Sequence, residues 1–331
     1  MKFHNFLSFV SIALIVYVLT GCEKEITVDL PTVPRQIVVE GSIEQGQPPI
    51  VILSWSQGYF DPIDLAALTS NFIRDARVYV SNGNLEVELD EICSATLPEE
   101  LLPLIAELTG LNAEELAALD LCIYTSFNQA IWGEINRSYA LRVEYEDNVL
   151  TALTKINTPI ALDSVWFDIP GNPSPEDSLG FAYARLSDPD TLGNAYRWFA
   201  RRINRYPAWS QHAGEVKDAQ FIAPLGSASD DAFFNGLNFE FAYFRGAPAN
   251  SLKEDDTNDE RGFFKVGDTI AIRGTVIDRA ALRFILAFED QVASSGSPFA
   301  SPANIPSNVN GGLGAWIGYG AIYDTIICVQ P

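Results

Sequence analysis

The chain has 331 residues, with 21 Lys and Arg against 43 Asp and Glu, a formal net charge of −22. That charge repels phosphate backbones and anionic head groups, which argues against a nucleic-acid partner. Of its two histidines only His212 lies beyond the first few residues, so zinc centres and histidine-dependent hydrolases have little to be built from.

The N-terminus reads as an export signal. Lys2 and His4 precede an apolar run, Phe6 to Leu19, which gives way to Thr20, Gly21 and Cys22. The run is too short for a comfortable span, which needs about 20 apolar residues. Leu19-Thr20-Gly21-Cys22 resembles a bacterial lipobox. That resemblance implies removal of a signal peptide, residues 1–21, and acylation of Cys22 by palmitate-like chains. Several acyl chains make a stable anchor where one is marginal. Residues 22–35 then form a Pro-broken tether, and no later stretch is long and apolar enough to span.

Strand signals begin at Gln36. QIVVEGSI (36–43) and IVILSW (50–55) are β-branched and separated by a turn cluster. Residues 76–80 and 85–89 flank SNGN, a hairpin signal because Asn-Gly readily takes positive φ. YALRVEY (139–145) alternates and turns through EDN into 149–156. These short, even runs predict an immunoglobulin-like β-sandwich over residues 36–160. One stretch interrupts it: residues 97–121 are helical in period, with Leu101, Leu104, Ile105 and Leu108 on one face. Cys93 and Cys122 bracket this helical insert, and in an exported chain they are the expected disulfide. Cys328, in a terminal apolar run, is then a buried free thiol.

Residues 157–180, with four prolines, read as a domain junction. Beyond it lie strands at 181–186, 195–204, 237–244 and 268–277. Asp278 is placed to cap a helix over 279–293, with Leu282, Ile285, Leu286 and Val292 facing inward. Two final runs, 313–319 and 321–329, complete a mainly β C-terminal domain over 161–331, curved or barrel-like and antiparallel, with one packed helix.

Several stretches together resemble a known family: CEKEITVDLP, IVVEGSIEQGQPPIVILSWSQGYFD, CIYTSFNQAIWGEINRSYALRVEYEDNVLTALTKI, FKVGDTIAIRGTVIDRAALRFILAFE and SPFASPANIPSNVNGGLGAWIGYG. In this order they resemble a Bacteroidota lipoprotein family known as domain of unknown function 4249. The resemblance covers nearly the whole chain after Cys22. It implies an outer-membrane lipoprotein encoded beside TonB-dependent receptors, and it carries over no catalytic residues. Glu23-Lys24-Glu25 also resembles the charged signal that sends such lipoproteins to the cell surface, although only one acid follows the lysine.

Candidate chemistry is sparse. YRWFARRINRYPAW (196–209) sets Arg197, Arg201, Arg202 and Arg205 among Trp198 and Trp209, the densest basic cluster in an acidic chain. It reads either as a pocket for a carboxylate or sugar or, more plainly, as a strand pairing its arginines with nearby acids. KEDDTNDERG (253–262) fails the EF-hand spacing for calcium and reads as a solvated acidic loop. GGLGAWIGYG (311–320) lacks the strand-to-helix context of a phosphate loop, so its glycines mark a bulge or close backbone approach. His212 reads as an exposed loop residue. No cofactor and no metal are implied.

The sequence therefore leads to a non-enzymatic outer-membrane lipoprotein, an accessory of a TonB-dependent receptor in nutrient uptake. Its expected contact surfaces are the insert 97–121 and the loop 294–312. The alternatives are a surface-anchored hydrolase using paired carboxylates on a glycan or ester, and a structural envelope protein.

Overall fold

A computed structural model describes residues 34–57, 71–97, 121–171, 177–210, 212–246, 262–294 and 304–330. The signal peptide, Cys22, almost all of the tether and residues 98–120 of the insert lie outside the described residues. So do residues 253–261 of the acidic stretch and 295–303 of the long loop.

The described chain is mainly β. In order it forms β1 (Ile37–Glu44), β2 (Ile50–Trp55), β3 (Arg77–Ser81), β4 (Glu86–Glu88), β5 (Asp90–Cys93), β6 (Cys122–Thr125), β7 (Ser138–Tyr145) and β8 (Asn148–Lys155). There follow β9 (Leu162–Asp168), β10 (Leu179–Ser187), β11 (Ala195–Arg202), β12 (Ala228–Asp230), β13 (Asn238–Tyr243), β14 (Phe264–Lys265) and β15 (Thr269–Ile277). Helix α1 (Arg279–Ser294), β16 (Val309–Asn310) and β17 (Leu313–Ile327) close the series. Among the described residues no helix is long and apolar enough to cross a membrane.

Local signals set the elements where the sequence places them. Asn82 and Gly83 turn β3 into β4: the Asn82 Oδ1 accepts the Asn84 and Leu85 amides, and Gly83 has φ +87°. Asp278 caps α1, its Oδ1 accepting the Ala281 amide at 2.7 Å. In β8 the buried positions are Leu150, Ala152 and Thr154, the period-2 pattern of a strand with one covered face.

An eight-stranded sheet runs β12-β11-β15-β17-β1-β2-β6-β5. Its pairs are antiparallel except β1 and β17, which run parallel with Gly41 opposite Trp316. Against the β1–β2 part lies a five-stranded sheet, β16-β8-β7-β3-β4. Val39, Leu53, Val80, Leu141, Val143 and Trp316 meet between them, essentially without solvent exposure. Each such side chain contributes roughly 1.5–3 kcal/mol of burial. The β11–β15–β17 part is covered on one face by α1, where Leu282 and Ile285 meet Phe199 and Ile317. On its other face Ile270 and Ile272 pack with Ala182, Ala184 and Tyr243 of the β9-β10-β13 group.

Several expectations change. Among the described residues no sheet closes into a barrel; the large sheet is open and ends at β12 and β5. Residues 35–331 cluster as one compact unit, and the eight-stranded sheet takes strands from both sides of residue 160. The Pro-rich 157–180 stretch holds β9 and the start of β10, and its described prolines, Pro159 and Pro170, fall outside the paired residues. The two C-terminal runs are one strand, β17. Its glycines permit close approach: a Cβ on Gly320 would meet the Asn157 carbonyl at 2.0 Å. On α1, Leu282 and Ile285 face inward as expected, but Leu286 and Val292 are exposed and Ala281 and Glu289 are buried instead. The Glu289 Oε2 accepts the Gly226 amide, which compensates its burial.

Cys93 and Cys122 face each other across β5 and β6 and form a disulfide. Joining two residues 29 apart in sequence contributes about 3–4 kcal/mol in the chain-entropy model. Cys328 is a buried free thiol whose pKa is pushed up to about 12, first by burial and then by the Asp268 charge. A non-reducing peptide map is expected to link Cys93 to Cys122. Iodoacetamide is expected to leave Cys328 untouched in native protein and to label it after denaturation. Rapid native labelling of any of the three would contradict this assignment.

Candidate functional site

Alternation along β11 divides the basic cluster. Arg197, Phe199 and Arg201 share one face; Trp198, Ala200 and Arg202 share the other. On the first face Arg197 lies 3.9 Å from Glu289 and over the Phe199 ring. Arg201 donates to the Ala219 carbonyl and lies over Phe221. On the second face Trp198 stacks on Phe241, ring centroids 3.8 Å apart, inside the aromatic core. These three residues pack and pair within the protein.

Arg202 is held differently. Its Nε and Nη2 donate to the two carboxylate oxygens of Asp218, each at 2.9 Å, and its backbone amide donates to Asp218 at 2.8 Å. Both side chains are almost wholly buried, so the fork is a desolvated, geometrically fixed pair. It locks a short ladder between residues 202–206 and 214–218, in which Arg205 pairs with Val216 and Lys217 with Asn204.

This ladder forms one wall of an open cavity of about 580 Å³. Five cationic side chains line it: Arg202, Arg205, Lys217, Arg245 and Lys265. Asn204 and Ser210 add neutral polar groups, and Leu179, Phe263 and Val266 add apolar surface. Trp209 lines it too, with 78% of its surface exposed. No Asp, Glu, His or Cys is among the described lining residues. Two carboxylates stand behind the wall. Asp218 holds Arg202, and the buried Asp268 receives Lys217 Nζ at 3.0 Å and the Lys265 amide at 2.9 Å. Arg202 and Lys217 are thus each paired with a buried carboxylate, and Arg205 donates to the Gly214 carbonyl.

Of the six residues marked by sequence, Arg202, Arg205 and Trp209 meet at the cavity, and Arg197, Trp198 and Arg201 do not. Sequence reasoning missed Lys217, Arg245 and Lys265. The available signal was rarity: 21 basic residues in 331 make each one conspicuous.

The lining sets the chemistry. Among its described residues there is no carboxylate, imidazole or thiolate to ligate a cation. A concave site walled by cations attracts and orients an anion. His212 lies in the adjoining turn, its Nδ1 3.5 Å from Glu215, half-buried against Tyr206. Glu91 approaches Cys93 and Cys122 closely enough for a metal site among the described residues, but those sulfurs are bonded to each other.

A family model described as a domain of unknown function (DUF4249) matches residues 23–321. No curated protein and no solved structure matches the chain.

Proposed function

The chain belongs to the DUF4249 family, and from that premise we propose that it is a lipid-anchored, non-enzymatic outer-membrane protein that binds an anionic solute for a TonB-dependent receptor. The observation that carries the reading is the cavity: five cationic side chains and no carboxylate on its described lining, in a chain of net charge −22. Five of the chain's 21 basic residues gathered at one cavity support an anionic ligand. The lipobox-like Cys22 supplies the anchor. Glu23-Lys24-Glu25 favours the cell surface, where a receptor would be met at high effective concentration. The two-sheet packing around Trp316 is read as immunoglobulin-like, a scaffold that leaves its loops for contact.

Cys22→Ser tests the anchor. Fatty-acid labelling is expected to vanish and the protein to leave the membrane fraction. Affinity purification of the wild type in mild detergent is expected to recover a TonB-dependent receptor. Undiminished labelling of the variant would remove the anchor; repeated recovery without a receptor would remove the partner.

A further inference from the structure

Two loops meet beside the free edge of the large sheet: residues 188–194, between β10 and β11, and residues 231–237, between β12 and β13. We propose that they hold a calcium ion, with Asp190, Asp231 and Asn235 as its protein ligands. Asp231 carries the argument. It is 0% exposed, and its Oδ2 accepts the Gly193 and Asn194 amides at 2.7 and 2.8 Å. Its Oδ1 is buried with no hydrogen-bond partner, and no ion pair reaches it among the described residues. Arg279, which passes beside Gly193, pairs with Asp230 instead. A fully buried carboxylate with one oxygen unmet is costly unless a cation or a donor meets it.

The neighbours supply further oxygens. Asn235 follows four residues on, its backbone amide donating to the Asp231 carbonyl at 2.8 Å, so the two side chains leave one side of a single turn. The Asn235 Oδ1 is likewise buried without a partner. Gly236 ties in the other loop. Its amide donates to Asp188 Oδ2 at 3.0 Å, and a Cβ on it would lie 3.3 Å from Asp190 Oδ1. Asp190 is exposed and bound to nothing among the described residues, so its carboxylate is free to turn toward the ion. Asp188 is not a ligand, since the Tyr196 hydroxyl and the Gly236 amide occupy its oxygens, but its charge adds to the field. Asp231 is close enough to act on the same hydroxyl: burial first, then the bond and charge of Asp188, then the charge of Asp231 push the Tyr196 pKa up. A set of oxygens without nitrogen or sulfur suits calcium rather than zinc or copper. Asp188, Asp190 and Asp231 do not bring three carboxylates into one coordination sphere, so water completes the shell. The affinity then falls in the range of extracellular calcium modules, about 10⁻⁴–10⁻³ M.

The experiment uses the full-length lipoprotein, purified in detergent and freed of metal with EDTA. Calcium chloride is titrated against wild type, Asp190→Asn, Asp231→Asn and Asp230→Asn, and binding is read by melting temperature and by displacement of terbium luminescence. Wild type is expected to half-saturate at about 10⁻⁴–10⁻³ M calcium, and magnesium to bind about tenfold more weakly because it demands a near-ideal octahedron. Asp190→Asn and Asp231→Asn are each expected to raise the half-saturating calcium concentration about tenfold by removing a ligand charge. Asp230→Asn, which loses only its pair with Arg279, is expected to leave it unchanged. Asp231→Asn keeps an oxygen for the two amides; if it still fails to fold, Asp190→Asn, at an exposed loop position, decides the matter. If calcium has no saturable effect on wild type, Oδ1 meets only water and the proposal falls. It also falls if both ligand variants bind calcium as well as wild type does, because the ion then sits elsewhere on this acidic chain.

Discussion

Asp218→Ala is expected to destabilise the protein by about 3–5 kcal/mol, because it removes the counter-ion of a buried guanidinium rather than a surface contact. The carboxylate accepts three hydrogen bonds from Arg202, two from the side chain and one from the backbone. With side-chain exposures of 3% and 6%, water cannot replace them without opening the wall. The double variant Arg202→Met, Asp218→Leu is expected to recover most of that loss, since buried pairs often exchange for apolar residues at little net cost. Urea denaturation at neutral pH measures both. A loss below about 1 kcal/mol for Asp218→Ala would show that the pair is solvated and that the ladder framing Arg205 and Lys217 does not depend on it.

Trp316→Ala is expected to cost about as much, roughly 3–5 kcal/mol, for a different reason. Trp316 is fully buried between the two sheets, and its indole Nε1 donates to the Tyr139 carbonyl at 2.9 Å. Its backbone amide and carbonyl are both held by the Asn308 side chain. Truncation removes apolar area and strands a buried carbonyl at once. Because Trp316 sits on β17 but packs in the core of β1, β2, β3, β7 and β8, the loss is expected in one cooperative transition. Two separated transitions would contradict a unit continuous across residue 160. Gly41→Ala probes the same contact from the other side: its Cβ would stand 2.7 Å from Trp316 Cε3.

These two sites show what the sequence could carry. Strand existence was legible where alternation and turn residues act locally, as at Asn82-Gly83 and in β7 and β8. The Asp278 cap and the Cys93–Cys122 bond were legible for the same reason: each partner lies near in sequence or at a marked boundary. The parallel pairing of β1 with β17 was not, because nothing local to Val38 names Leu313 as its neighbour. That pairing, together with β16 on β8, joins the halves that composition separates at the proline-rich stretch. On α1 the turn-by-turn pattern alone offered Leu286 and Val292 as core. The structure buries Glu289 instead, since the Gly226 amide stands ready to receive it.

The cavity was half legible. A strand through 195–202 already implies that Arg197 and Arg201 turn away from Trp198 and Arg202, so the six marked residues could not all share one site. Arg205 and Trp209, beyond the strand, escape that alternation. Lys217, Arg245 and Lys265 arrive from three further segments, and only the folded ladder and β14 bring them to Arg205. The acids that hold Arg202 and Lys217, Asp218 and Asp268, were lost in the sequence among 43 carboxylates.

The central claim is that this cavity binds an anion. It is tested most directly by titrating the wild type and Arg205→Gln with citrate at low and at physiological salt. The account predicts saturable one-to-one binding, weakened about tenfold by Arg205→Gln and weakened further as salt screens the cations. No saturable binding at low salt, or equal binding by the two proteins, would contradict it.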